Sequence, residues 1–236
     1  MITGSGAGDL NSAMICFKGS YFEREFILWG VRWYVAYPIS YRQLEAMTED
    51  RRVVVDHSML NRWVVKNVPE LDRQFHSRKR SVVSNWRSDA TYVNIRGSRK
   101  FLYQAINKAG ATMGFLLTVK RDNNDAFRFL QRVIGQNGAP KKITIDKTVA
   151  NAAAIGSYNA EHETNVKIRH IKNLSKINEK NRRAIKRLTR PMLGIKSFRS
   201  GTATLAGVEF MHMIRKGQLQ TTGKQRPAER FYALAA

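Results

Sequence analysis

Three strand-like segments follow one another without interruption, and a regular alternation of helix and strand comes after them. V-V-S-N-W-R-S-D-A-T-Y-V-N-I, K-F-L-Y-Q-A-I-N and T-M-G-F-L-L-T-V-K are rich in β-branched and aromatic residues and are divided by short polar turns. That texture predicts a three-stranded meander. N-N-D-A-F-R-F-L-Q-R-V-I-G then sets Phe127, Leu130 and Val133 at helical spacing, with Gly135 placed past the end. K-K-I-T-I-D follows as a short buried strand, A-N-A-A-A-I-G-S-Y as a weak helix, V-K-I-R-H-I as a last strand, and residues 176 to 189 as a helix. The predicted order is βββαβαβα, and the fold class is α/β.

Ahead of this unit the texture is helical. Phe22, Phe26, Trp29 and Trp33 recur at helical spacing over residues 20 to 37, Pro38 stops that helix, and Ser40 with Gln43 forms a capping-box signature before Leu44 and Met47. After the polar T-E-D-R-R break, Asp56 or Ser58 is a good N-cap for a third helix carrying Leu60, Trp63 and Val64 as far as Pro69. Three short helices with a tight break resemble a helix-turn-helix. Its last helix would offer Ser58, Asn61, Arg62 and Lys66 to DNA, Asn and Arg suiting base edges and Lys suiting phosphate. An ordinary three-helix bundle with a polar face fits the spacing as well; the charge favours the DNA-reading version. The chain carries 41 basic against 18 acidic residues, a net charge of +23, and such an excess repels itself unless a polyanion is present.

The expected organisation is a flexible leader over residues 1–18, with Met14 as an alternative start, a helix-turn-helix domain over 19–71, a basic connector over 72–81, a catalytic domain over 82–217, and a loosely ordered polar tail over 218–236. A packed helix is expected from Thr202 to Lys216. The leader has neither the basic nor the apolar region of a secretory signal. No segment approaches the roughly 20 apolar residues of a spanning helix, since F-I-L-W-G-V-R-W-Y-V is short and broken by Arg32. The expectation is a cytoplasmic, nucleoid-associated protein with no membrane partner. Cys16 is the sole cysteine, and His57, His76, His162, His170 and His212 show no zinc-ligand spacing, which argues against disulfide and zinc chemistry.

Chemistry is carried instead by three carboxylates. Asp89 interrupts the first strand, Asp146 closes the fourth, and Glu179 falls on the helix after the fifth. Each has an everyday explanation: Asp89 as a solvent-facing strand residue, Asp146 as a helix N-cap, Glu179 as a salt-bridge partner four residues before Arg183. Together they fall on elements that converge at one edge of an RNase H-like, retroviral-integrase-like fold. From residue 172 to residue 199 there are ten Lys or Arg and one acid, Glu179 itself, a setting suited to holding a metal beside phosphates. Arg183, Lys186 and Arg187 are the candidate phosphate contacts there. Two Mg²⁺ ions, with Mn²⁺ as a substitute, can activate an attacking hydroxyl and stabilise a leaving oxygen.

The motifs F-K-G-x-x-F, I-S-Y-R-x-L, V-x-V-D-H-S, W-R-x-D-x-T-Y, T-I-D-K, Y-N-A-E-H-E, R-A-I-K-R-x-T-R-P-M-L-G and K-S-F-R-S run from about residue 14 to residue 217. As a set they resemble the bacterial insertion-sequence transposases of the "six" family. The resemblance implies an N-terminal helix-turn-helix, a DDE catalytic domain, and Asp89, Asp146 and Glu179 as the catalytic, metal-holding triad. It also implies double-stranded DNA partners, both terminal inverted repeats and target, replicative transposition through cointegrates, and a homodimer or larger assembly on DNA. The sequence departs from the family pattern at Ala90, where Glu is usual, and at Ser175, Lys176, Asn181 and Arg182 around the glutamate. A catalytically impaired copy that only binds DNA, or an RNase H-like nuclease that never joins strands, therefore stand as alternatives.

Overall fold

The computed structural model describes residues 22–80, 85–146, 149–171, 183, 186, 187, 190, 197–221 and 223–235; the expected leader lies outside them. Three helices come first: α1 (Arg24–Ala36), α2 (Tyr41–Glu49) and α3 (His57–Ser77). The capping box predicted for α2 is formed, with Ser40 Oγ accepting from the Gln43 amide at 3.2 Å and Gln43 Oε1 accepting from the Ser40 amide at 2.7 Å. Asp56 caps α3, its Oδ1 accepting from the amides of Ser58 and Met59 at 2.7 and 3.1 Å.

α3 does not stop at Pro69. A proline inside a helix removes one hydrogen bond and crowds the preceding turn, but Leu71 and Phe75, both fully buried, lie beyond it and hold the helix to Ser77. The stretch expected to be a connector thus begins as the last turns of a helix. Its remainder is anchored as well. Lys79 Nζ donates to Met113 O at 2.6 Å and to Asn137 Oδ1 at 2.9 Å, and burial pushes that amine down to about 8.

Five strands form one sheet: β1 (Trp86–Ile95), β2 (Ser98–Asn107), β3 (Thr112–Thr118), β4 (Lys142–Ile145) and β5 (Lys167–His170), in the order β3-β2-β1-β4-β5. The first three form the predicted antiparallel meander, and β4 and β5 add in parallel. Arg96 and Gly97, at φ 52° and 74°, make the two-residue turn between β1 and β2, a backbone that suits strand twist and that glycine adopts without strain. α4 (Asn123–Asn137) and α5 (Val149–Glu161) supply the crossovers. The strand and helix order is that of the RNase H-like fold; of the helix expected over 176–189 only residues 183, 186 and 187 are among those described, and all three are helical.

Strand alternation divides the interior into two cores. Trp86, Ala90, Tyr103, Ala105 and Met113 pack with α4 and α5, while Ile95, Leu102, Phe115 and Leu117 face the other way. The second face meets α6 (Phe198–Arg215), which is buried on nearly every side because α1 and α3 cover it from outside. The N-terminal helices therefore share a core with the sheet.

Residues 218–235 are not a loose tail. The Arg80 amide donates to Gln218 O and the Gln220 amide donates to Arg78 O, both at 2.9 Å, and α7 (Pro227–Tyr232) follows with Phe231 fully buried beside Leu234. Few apolar residues suffice when each goes fully inside, at about 1.5–3 kcal/mol apiece. Among the described residues no helix is long and apolar enough to cross a membrane.

Gly207 marks the closest approach of α6 to α1. A Cβ built there would stand 2.4 Å from Val35 Cγ1, and Val35 is fully buried. In a free helix Gly→Ala gains about 1 kcal/mol, yet forcing a methyl into a filled core costs about 1–3 kcal/mol. Gly207→Ala should lower the free energy of denaturant unfolding, and adding Val35→Ala should recover part of the loss; a Gly207→Ala protein as stable as the parent would refute the close packing.

Candidate active site

Asp89 lies within β1, and Asp146 is the first residue past β4. The two strands pair through Trp86↔Ile143 and Arg87↔Thr144, and that register, continued by two residues, brings Asp146 level with Asp89. Neighbouring strands run about 4.8 Å apart. Alternation turns both side chains away from Trp86, Ile143 and Ile145, toward the face that α6 covers. Asp89 is only 5% exposed, and its Oδ1 accepts from the Ala90 amide at 2.8 Å. The Asp146 side chain is 32% exposed, with the Arg121 guanidinium 3.4 Å from its Oδ2.

Two carboxylates so placed make an all-oxygen donor pair, the chemistry that Mg²⁺ takes and zinc does not prefer. Glu179 lies outside the described residues, and among those described no further Asp, Glu, His or Cys completes a three-ligand group. Ala90 belongs to the opposite core, beneath α4 and α5. The bond that positions Asp89 comes from the backbone at residue 90, so it survives the absence of the glutamate usual at that position.

Arg121 was not among the residues singled out from sequence; only the turn after β3 brings it to Asp146. The same holds for a groove of about 270 Å³ lined by Arg87, Lys108, Lys142 and Arg169, with Thr144 between them. Arg87, Thr144 and Arg169 are register neighbours across β1, β4 and β5, on the face that carries the two acids. Polar residues, Lys142 and Thr144, alternating with buried isoleucines in K-I-T-I were the available signal.

Of the residues expected to meet DNA, Ser58, Arg62 and Lys66 are exposed on α3, one helical turn apart in succession. Ser58 Oγ donates to the capping carboxylate of Asp56. Asn61 is placed differently, its Oδ1 accepting from Ser200 Oγ at 2.9 Å, so it ties α3 to α6. Arg183, Lys186 and Arg187 are helical and exposed.

Residues 83–218 match the family profile of a transposase DDE domain, which places the acid-bearing sheet in a class of polynucleotidyl transferases. The transposases of the insertion sequence-like element IS431mec and of IS257 in transposon Tn4003, both from Staphylococcus aureus, are each 31% identical to the chain over 205 residues, covering 85% of this chain and 88% of theirs. The protein belongs to the bacterial insertion-sequence DDE transposases of the "six" family. Among solved structures, the HTLV-2 integrase catalytic core domain in complex with magnesium, in its trimeric form, superposes with TM-score 0.42 at 14% identity over 55% of this chain and 86% of that chain. A simian T-cell lymphotropic virus intasome gives TM-score 0.42 at 12% identity over 54% and 50%. Family membership rests on the sequence matches, not on these superpositions.

Behind Asp89, its cross-strand partner Gln104 donates from Nε2 to Glu209 Oε1 of α6 at 2.7 Å. Burial pushes the Glu209 carboxyl up to about 7, against the pull of Lys216, the Gln104 amide and Lys79 and with Asp72 adding to the rise. An acid whose folded pKa is raised favours the fold while protonated and loses that contribution as pH climbs from about 4.5 to about 7. His212, pushed down to about 4 by its own burial, titrates in the opposite sense. Glu209→Gln isolates the carboxyl. Its stability relative to the parent should be nearly constant below pH 4.5 and rise by on the order of 2–3 kcal/mol toward pH 7; a difference that does not change with pH contradicts the assignment.

Proposed function

We propose that this transposase binds the terminal inverted repeats of its element and catalyses divalent-metal-dependent strand cleavage followed by strand transfer, by replicative transposition through cointegrates. The observation that carries the reading is that Asp89, on β1, and Asp146, at the end of β4, belong to neighbouring parallel strands, in a chain with a net charge of +23. Asp89 and Asp146, with Glu179 from the family motif, would hold two Mg²⁺ ions, Mn²⁺ substituting. When bound, such ions supply the charge that activates an attacking hydroxyl and offsets that on the leaving oxygen.

The chain's own groups do the rest. The Ala90 amide fixes the rotamer of Asp89, and Arg121 fixes Asp146 and adds positive charge where a phosphate would enter. The basic groove beside them binds the sugar-phosphate backbone without regard to sequence, as Arg183, Lys186 and Arg187 do from their own segment. On α3, Arg62 is suited to base edges and Lys66 and Ser58 to phosphates. Asn61 contributes by joining α3 to α6, holding the reading helix at a set distance from the acids. Two element ends must be brought together, so the working form on DNA is at least a homodimer, acting in the bacterial cytoplasm on the nucleoid.

Asp146→Ala should leave binding to element ends intact and reduce Mg²⁺-dependent nicking by more than roughly 100-fold, beyond the roughly 10 to 100-fold loss expected for Arg121→Ala, which removes an orienting partner and a charge but no metal ligand. A parent protein that binds ends yet never nicks them in Mg²⁺ would overturn the catalytic reading. Joining of a pre-nicked 3′-hydroxyl end to target DNA separates a transferase from a nuclease, because a nuclease yields no joined product.

A further inference from the structure

β4 is four residues long and pairs only with Trp86 and Arg87 of β1. Beyond Asp89 no described strand flanks β1 on that side, while β2 and β3 stay paired alongside it as far as the row Tyr92, Phe101 and Thr118. On this stretch of β1 stands Tyr92, 54% exposed although it belongs to the W-R-S-D-A-T-Y segment that carries Asp89. The two are three positions apart, about 10 Å along a strand. An aromatic ring left that open on a sheet is not there for the core.

Its surroundings hold the ring in place. Phe101, directly opposite on β2, lies behind it with ring centroids 5.1 Å apart, and the Arg99 guanidinium stands 5.8 Å from its centroid. Alternation puts Tyr92 on the opposite face from Asp89, but past the end of β4 the edge of β1 is met by no strand among the described residues, and around such an edge a single strand can pass from one face to the other. The charge fits such a strand. Between Asp89 and Asp122 there are six basic residues and no acid. Arg96, Arg99 and Lys120 are exposed at the same end of the sheet as the two acids, and Arg121 is the residue that reaches Asp146. An immobilised aromatic face beside a phosphate-attracting edge is what sequence-tolerant binding of unpaired bases needs.

We propose that Tyr92 is a stacking platform for an unpaired DNA base next to the reacting phosphate, with Arg96 and Arg99 gripping the adjoining backbone. This rests on Asp89 and Asp146 being the active site. Tyr92 touches no reacting atom; it is a positioning residue that holds the strand where it rounds the sheet edge beside the acids. The phenol hydroxyl plays no part, so Phe should serve as well as Tyr.

The test uses the full chain carrying Asp146→Ala, so that nothing turns over, and two probes: a blunt DNA duplex, and the same duplex with a single-stranded overhang bearing 2-aminopurine at the first unpaired position. The parent and Tyr92→Phe should quench the 2-aminopurine on binding. Tyr92→Ala should lose the quench and bind the overhang probe about tenfold more weakly, with blunt-duplex affinity unchanged. Three results overturn the proposal: Tyr92→Ala quenching and binding as the parent does, Tyr92→Ala weakening both probes equally, or Tyr92→Phe failing alongside Tyr92→Ala. Thermal unfolding of each variant checks the fold. Because no cleavage is measured, a failure of the catalytic reading would show in the nicking assay and leave this readout untouched.

Discussion

The helix Phe198–Arg215 has almost no face left for solvent, and the rest of the architecture follows from that. One side must cover Leu102, Phe115 and Leu117 of the sheet, and the other must be covered in turn by α1 and α3. A helix apolar all round is stable only when surrounded. The helices proposed to bind DNA and the sheet that carries the acids are consequently two walls of one core, joined by buried contacts such as Gly207 against Val35. α3 and the backing of Asp89 are thus connected through the packed side chains of α6.

Much of this was legible in the residue order. The meander, the two parallel strands and the crossover helices follow from the period of the apolar pattern; Asp89 is conspicuous because aspartate is depleted in strand interiors, and Asp146 because it closes a strand. What could not be seen came from tertiary packing that overrides local signals. Pro69 looked like a helix end, yet Leu71 and Phe75 find full burial only if the helix continues. Gly135 looked like a terminus, yet α4 runs on to Asn137, where Gly138 at φ 81° accepts the turn. Residues 218–235 looked polar because their anchors, Leu219, Phe231 and Leu234, are few and widely spaced.

The site shows the same division. Acids were found because their chemistry names them, whereas Arg121 was not, since an arginine in a turn has no signature until the turn closes on Asp146. Asn61 was assigned outward by residue type, but a partner 139 positions away in sequence, Ser200, takes its carbonyl. Positive charge was equally unspecific as a signal. It runs through the whole chain, and only the sheet register separates the lysines and arginines that line the acid-bearing face from those that merely keep the surface solvated.

The clasp made by residues 218–235 has a bearing on how the helical wall can open. Arg78 donates to Ala233 O at 2.7 Å, Arg24 donates to Ala235 O, and Arg32 reaches Tyr232 at 3.2 Å, so a segment far along the chain ties the first described helices shut. Peeling it away removes three ties and the buried Phe231 in one event. Local opening of α1 and α3 is thereby coupled to release of a stretch some two hundred positions distant in sequence.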